Sequence, residues 1–258
     1  MDKNKYYFDE PLIEGLIINR PNRFLMNVSI DNKQFLCHCP ATGRIANIVF
    51  ENIPCLLSKK NDCDIKRKTC YTVEAISLNN QNDDLKHWIG INQNRSNRYI
   101  EFLFKTNQLK NIVNYKGSLL REQKLGNSKL DFLVENNYIE VKTPLIFLPL
   151  KDFYLTNKNI KYIKDVKFNS ADRFLKHVNE LKESLKTHEK AFLITLFTFE
   201  AMEFKPPRRD IDREIGTKIR KKIKNSIEKG VNLWQVNLII DKYGVKLSNY
   251  FDITNKII

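Results

Sequence analysis

Between Arg121 and Lys142 the chain reads REQKLGNSKLDFLVENNYIEVK. Four residues there have types and spacing suited to chemistry: Glu122, Asp131, Glu140 and Lys142. Asp131 opens an apolar run, Phe132-Leu133-Val134. Glu135-Asn136-Asn137 follows as a turn, because asparagine tolerates left-handed backbone angles. Tyr138 to Lys142 then returns as a strand, so the stretch reads as a β-hairpin. Alternation along a strand puts Glu140 and Lys142 on one face and Ile139 and Val141 on the other. Two carboxylates brought together repel unless a divalent cation neutralises them, and an all-oxygen set suits magnesium or manganese. An ion held by Asp131 and Glu140, with Glu122 assisting, would polarise a phosphoryl oxygen and activate water. Lys142 would orient or deprotonate that water, or stabilise developing charge. The same four residues would also serve as a salt-bridged hairpin edge. A serine or cysteine hydrolase is poorly supported, since the chain has neither a nucleophile elbow nor a glycine-rich phosphate loop.

The elements that must position this cluster sit in a chain of 258 residues, enough for one large domain or two small ones. Hydrophobic residues make up 42% and charged residues 29%, a globular balance. The first ten residues, MDKNKYYFDE, lack a signal peptide's apolar core. No apolar run approaches the roughly 20 residues of a membrane helix, so a cytoplasmic protein with no membrane partner is expected. The five cysteines all lie within residues 37–70, and their odd number implies reduced thiols. Their spacing, C-x-C and then C-x6-C, fits no common zinc finger or ribbon. The formal charge is +14, yet residues 1–85 carry eleven basic and eleven acidic groups. All of the excess therefore lies from residue 86 onward, in the part that holds the acidic cluster. A positive surface around a negative pocket suits an enzyme acting on a polyanion, DNA or RNA.

Residues 12–19, 23–30 and 34–39 read as short strands, with Pro21-Asn22 and Asp31-Asn32 marking the turns. Residues 54–59 and 70–78 add two more. Five short strands in succession suggest a small OB-type barrel. Such barrels bind single strands through basic and aromatic groups, and Lys66-Arg67-Lys68 would serve there, or else form a solvated loop. The polar run Asn79–Asp84 marks a boundary, dividing the chain into 1–84 and 85–258. Helical periodicity follows over 93–113. Residues 170–186 form an amphipathic helix capped by Ser170, with Phe174, Leu175, Val178, Leu181 and Leu185 on its apolar face. Arg173, Lys176, His177 and Glu180 fall elsewhere and could reach a site. Residues 190–199 and 231–240 are apolar enough for strands covered on both faces. Between them, isoleucines recur every four residues from 211 to 227, and Gly230 ends the helix. Val245-Lys246-Leu247 continues the sheet. The whole predicts an α+β chain: a β-barrel, then an α/β domain with a mixed sheet.

Several motifs resemble those of the sugar fermentation stimulation protein A (SfsA) family. They include Arg20 and Arg23-Phe24-Leu25, Cys39-Pro40-Ala41-Thr42-Gly43, Arg67-Lys68, Thr72-Val73-Glu74 and Asn97-Arg98. They continue with Glu122, Ser128-Lys129, Asp131-Phe132, Tyr138-Ile139-Glu140-Val141-Lys142, and Arg173 with Lys176-His177. Ala41 stands where the family has Asn, Lys129 where it has Arg, and Phe174 where it has Gly. The resemblance implies an N-terminal OB-like domain and a C-terminal domain of PD-(D/E)XK nuclease type. It implies an acid on the first helix, Glu122, joining Asp131, Glu140 and Lys142 around Mg2+ or Mn2+. It further implies nucleic-acid contacts from Arg20, Arg23, Lys66, Arg67, Lys68, Lys129, Arg173, Lys176 and His177. The implied activity is DNA or RNA phosphodiester hydrolysis. A non-catalytic DNA-binding protein, a regulator of sugar metabolism retaining the nuclease fold, is the alternative, and a homodimer is compatible with either.

Overall fold

The computed structural model describes residues 2–60, 69–125, 128–146, 148–163, 172–205 and 213–256, and the side chains of these apart from 172–173 and 213–215. Lys66, Arg67, Lys68, Cys63, Ser170, Ile211 and the Arg173 side chain lie outside them. Two sheets carry the chain. The first strand, β1 (Lys5–Tyr7), crosses to the second sheet. The next five, β2 (Ile13–Asn22), β3 (Leu25–Ile30), β4 (Lys33–His38), β5 (Ile53–Lys59) and β6 (Tyr71–Ile76), form a barrel in the order β4-β3-β2-β5-β6. It closes where His38 on β4 meets Thr72 on β6. The β3–β4 turn takes left-handed angles at both central residues, φ 48° at Asp31 and 62° at Asn32. That pair suits the right-handed twist of the flanking strands. The β2–β3 turn falls at Arg23-Phe24, just after Pro21-Asn22, because β2 runs on through Asn22.

Ile17, Met26, Val28, Ile53, Leu57 and Val73 fill the barrel with no exposed surface. Cys37, Cys39 and Cys55 are buried free thiols, and burial pushes the Cys37 thiol up to about 12. They pack as small apolar groups rather than reactive ones. Cys70 is disulfide-bonded, which departs from the expectation of five reduced thiols.

A short strand β7 (Ile89–Gly90) joins β6 and leads into α1 (Ser96–Lys105). The helical pattern anticipated to 113 stops at Lys105; Asn107 turns left-handed, φ 58°, and Leu109 and Ile112 pack from a turn instead. The second sheet is mixed, in the order β1-β13-β12-β11-β10-β9-β8. Its strands are β8 (Leu119–Leu125), β9 (Ser128–Val134), β10 (Asn137–Lys142), β11 (Ala191–Phe197), β12 (Val231–Ile240) and β13 (Gly244–Asp252). β10, β11 and β12 run parallel. Parallel neighbours need long crossovers, supplied by α2 (Asp172–Ser184) and α3 (Arg213–Glu228). Tyr99, Ile100, Leu103 and Phe104 of α1 cover one face, on Phe132, Ile139, Val141 and Ile194. Val178 and Leu181 of α2 and Ile219 and Ile223 of α3 cover the other, on Tyr138, Leu193 and Leu233. The chain is thus α+β, a closed five-stranded barrel followed by a mixed sheet. No helix among the described residues is long and apolar enough to cross a membrane.

A buried carboxylate fastens the barrel to the segment that leads into α1. Glu74 on β6, 1% exposed, accepts from Ser58 Oγ at 2.6 Å and Asn92 Nδ2 at 2.8 Å, and pairs with Arg95 Nε at 3.1 Å. Two glycines allow close approach. A Cβ on Gly244 would sit 2.1 Å from the Tyr6 carbonyl oxygen, and β1 could not pair there. A Cβ on Gly90 would lie 2.5 Å from Thr198 Cβ, at the point where Gly90 N–H donates to the Thr198 carbonyl. Thr198 is β-branched and stiff, so overpacking is costly. Gly90→Ala should lower stability by about 1–3 kcal/mol, read as a shift of the urea midpoint.

Candidate metal centre and nucleic-acid interface

The hairpin β9–β10 turns through Glu135 and Asn136, both left-handed at φ 44° and 66°. Its ladder pairs Asn137 with Val134, Tyr138 with Leu133, and Ile139 with Phe132, and ends there. Beyond that point Asp131 takes over from the backbone: its Oδ2 accepts the Val141 N–H at 2.8 Å. Its Oδ1 accepts from Asn97 Nδ2, on the first turn of α1, at 2.8 Å. The strands part with the carboxylate between them. Burial, and then the charge of neighbouring Glu140, raise the Asp131 pKa above the usual aspartate value.

Glu140 is 1% exposed. Its Oε1 accepts from Lys142 Nζ and from His177 Nδ1. These two nitrogens are 3.5 Å apart, and both point as donors at the same oxygen. Its Oε2 is buried and has no partner. Burial alone would raise the Glu140 pKa; the His177 hydrogen bond and the Lys142 charge outweigh it and hold the carboxyl below the ordinary glutamate value. A buried carboxylate oxygen with no hydrogen bond is unusual, because desolvation is then uncompensated. A cation would supply the missing partner. Each Asp131 oxygen also keeps one lone pair after its single hydrogen bond. The set therefore fits a hard divalent cation. Magnesium is commonly held by one or two carboxylates, water and substrate phosphate, so two acids suffice. No group of three or more His, Cys, Asp or Glu able to hold a metal occurs among the described residues.

Glu122 does not join this pair. It lies on edge strand β8, not on a helix, between the pairs Arg121–Phe132 and Gln123–Leu130. Its register position is thus alongside Asp131, but φ 51° marks the break in the ladder. The side chain is 67% exposed, 3.8 Å from Lys129 Nζ.

The basic residues separate into distinct groups. Arg20 is turned inward: its guanidinium donates to the Arg23, Ala41 and Gly43 carbonyls at 3.1, 2.6 and 3.0 Å, and lies over the Phe50 ring. It holds the 41–43 loop against the barrel. Arg23 is exposed and stacks on Phe24, 4.6 Å from the ring centre, with Phe24 itself 45% exposed. Lys129 and Lys176 are exposed. His177 is 8% exposed and belongs with Glu140 rather than with the surface. Its spacing carried the signal. Phe174, His177, Val178 and Leu181 fall at i, i+3, i+4 and i+7, so His177 is on the buried stripe of α2. Asn97 was missed as a site residue, though the Asn97-Arg98 pair is among the family-like motifs.

Fold and site together define a protein with an OB-type barrel joined to a mixed-sheet domain that holds a partly buried aspartate–glutamate–lysine cluster. Residues 18–91 match the SfsA N-terminal OB domain, and residues 94–244 match the sugar fermentation stimulation protein RE domain. The chain belongs to the sugar fermentation stimulation protein family. A homolog from Clostridium beijerinckii is 29% identical over 245 residues, covering 94% of this chain and 97% of that one. A homolog from Ruminiclostridium cellulolyticum is 25% identical, covering 93% and 96%. The structure of Pyrococcus furiosus SfsA in complex with Ca2+ superposes with a TM-score of 0.71 at 17% identity, over 96% of this chain and 97% of that one. It shares the fold.

Proposed function

We propose that this chain is a nucleic-acid-binding phosphodiesterase that uses Mg2+ or Mn2+ held by Asp131 and Glu140. The observation that carries the reading is the buried Glu140 Oε2, left without a partner beside a second carboxylate whose own ionisation is disfavoured. That Pyrococcus furiosus SfsA forms a complex with Ca2+ lends support to a divalent cation. Bound there, the ion would neutralise the two acids and act as a Lewis acid toward a phosphoryl oxygen. The protein's own groups do the rest. His177 Nδ1–H and Lys142 Nζ fix Glu140 through Oε1 and leave Oε2 free for the ion. Asn97 and the Val141 N–H hold Asp131 in the same way. Lys142, 26% exposed, puts positive charge where a phosphate gathers negative charge in the transition state. Arg23 and Phe24 offer a cation and a ring to a strand on the barrel.

Cleavage of single- and double-stranded DNA and RNA with Mg2+ or Mn2+ tests this. Activity lost in Asp131→Ala supports the assignment; equal cleavage by both proteins sinks it. Glu122→Gln should leave cleavage within about twofold, since Glu122 stands in solvent and surface changes have small effects. A drop as large as that of Asp131→Ala would make Glu122 part of the site. One observation favours a second reading, a non-catalytic nucleic-acid binder: the acids number two rather than the three of the implied set. It predicts salt-sensitive binding with no cleavage under any metal.

A further inference from the structure

A groove of about 480 Å³ opens where the barrel meets the second domain, lined by Asn47, Leu148, Tyr162, Met202 and Lys205 among others. We infer that this groove receives an unstacked base of a single nucleic-acid strand, so that the enzyme acts on single-stranded or locally opened substrates. The inference deepens the phosphodiesterase reading and rests on it.

The groove is built. Its three walls come from distant parts of the chain and are tied together by backbone hydrogen bonds: Ala46 N–H to the Leu145 carbonyl, Ile163 N–H to the Asn47 carbonyl, and Met202 N–H to the Pro149 carbonyl. Buried amides pin the 201–204 wall from behind. Gln235 donates to the Met202 carbonyl at 2.9 Å and accepts the Phe204 N–H at 2.7 Å, and Asn237 donates to the Ala201 carbonyl at 2.9 Å. The barrel wall is strained, with non-glycine residues Ala46 and Asn47 at φ 46° and 53°. Such strain persists only where the surroundings enforce it.

The lining matches a base. Leu155, Tyr162 and Met202, exposed by 43%, 52% and 51%, are large apolar side chains left open to water on this one groove. An aromatic ring and flat apolar walls suit the π face of any base. Asn47 Oδ1 is buried without a partner at the groove's edge, an acceptor for which a polar-edged ligand, unlike an aliphatic one, has a donor. Lys205 supplies a cation for the adjoining phosphate. Position completes the argument. Ile146, on the groove wall, follows Lys142 by four residues, so their backbones are at most about 14 Å apart. A strand whose phosphate lies at Lys142 can place a neighbouring base in the groove.

The test is strand binding by Asp131→Asn protein, without divalent cation, so that cleavage plays no part. The probe is a short single-stranded DNA carrying one fluorescent adenine analogue. Adding Tyr162→Ala or Met202→Ser should weaken binding about tenfold, from lost stacking, and leave duplex binding unchanged. A strand with an abasic position opposite the groove should bind the unsubstituted groove as weakly as a normal strand binds the variants. Both side chains are half exposed, so the variants should fold, checked by circular dichroism. Undiminished strand binding by both variants overturns the groove assignment, while Asp131-dependent cleavage measured in parallel leaves the enzyme reading standing. Absence of both cleavage and nucleic-acid binding overturns the two together. A change of sedimentation with either variant would show that the groove seats a second copy of the chain, and would overturn a base as its occupant.

Discussion

Asp131→Asn should abolish metal-dependent cleavage while leaving the protein at least as stable as before. The loss should reach about a thousandfold, because a bound metal supplies several kcal/mol of charge stabilisation and each 1.4 kcal/mol is about tenfold. The stability result follows from the pKa direction. Burial and Glu140 raise the Asp131 pKa, so ionising it at neutral pH is disfavoured in the folded state. A raised carboxyl favours folding fully below its unfolded pKa, and that contribution is lost as pH rises through the folded value. The neutral amide removes the penalty. Its oxygen can still accept the Val141 N–H, and Asn97 can flip to accept from the new amide nitrogen. Denaturant titration in chelator should show the variant equal to or more stable than wild type at neutral pH. The gap should close as the medium is acidified through the folded Asp131 value. A clear loss of stability at neutral pH would mean that Asp131 is a structural strut rather than a strained ligand.

The strength of the site's legibility in the sequence tracked how local each feature is. The β9–β10 hairpin was readable because Asn136 tolerates its turn and because alternation puts Glu140 and Lys142 on one side. The barrel was readable from Asp31-Asn32 and the short apolar strands, and β11 and β12 from their continuous apolar runs, which parallel, doubly covered strands require. Features set by tertiary contact were not readable. β1 is three residues long, with no periodicity to detect, and depends on Gly244 admitting Tyr6. Glu122 was placed with the acids by a family pattern that puts an acid on a helix. Here the position belongs to a strand, and a left-handed backbone angle, φ 51°, accompanies its exposure. His177 was read as lying off the apolar face of its helix, within reach of a site and among the nucleic-acid contacts, although its spacing matched the buried stripe. A polar residue on an apolar stripe is a request for a buried partner, and Glu140 is that partner.

Glu140→Gln should also abolish cleavage, but with the opposite effect on stability. Glu140 is buried and held ionised, its pKa lowered because His177 and Lys142 outweigh burial. A lowered carboxyl contributes stability above its unfolded pKa and loses it as pH falls through the folded value. Replacing it with an amide weakens two charge-assisted hydrogen bonds at once and leaves Lys142 and His177 3.5 Å apart without an anion between them. A loss of about 3 kcal/mol at neutral pH is expected, shrinking in acid as wild-type Glu140 itself protonates. Two neighbouring carboxylates, neutralised in the same way, should therefore move the denaturation midpoint in opposite directions, and both differences should vanish in acid. Saturating Mg2+ should stabilise wild type by mass action and neither variant. The comparison separates a metal site from a salt-bridged hairpin edge. In an edge, both substitutions would destabilise modestly and the cation would protect no form of the protein.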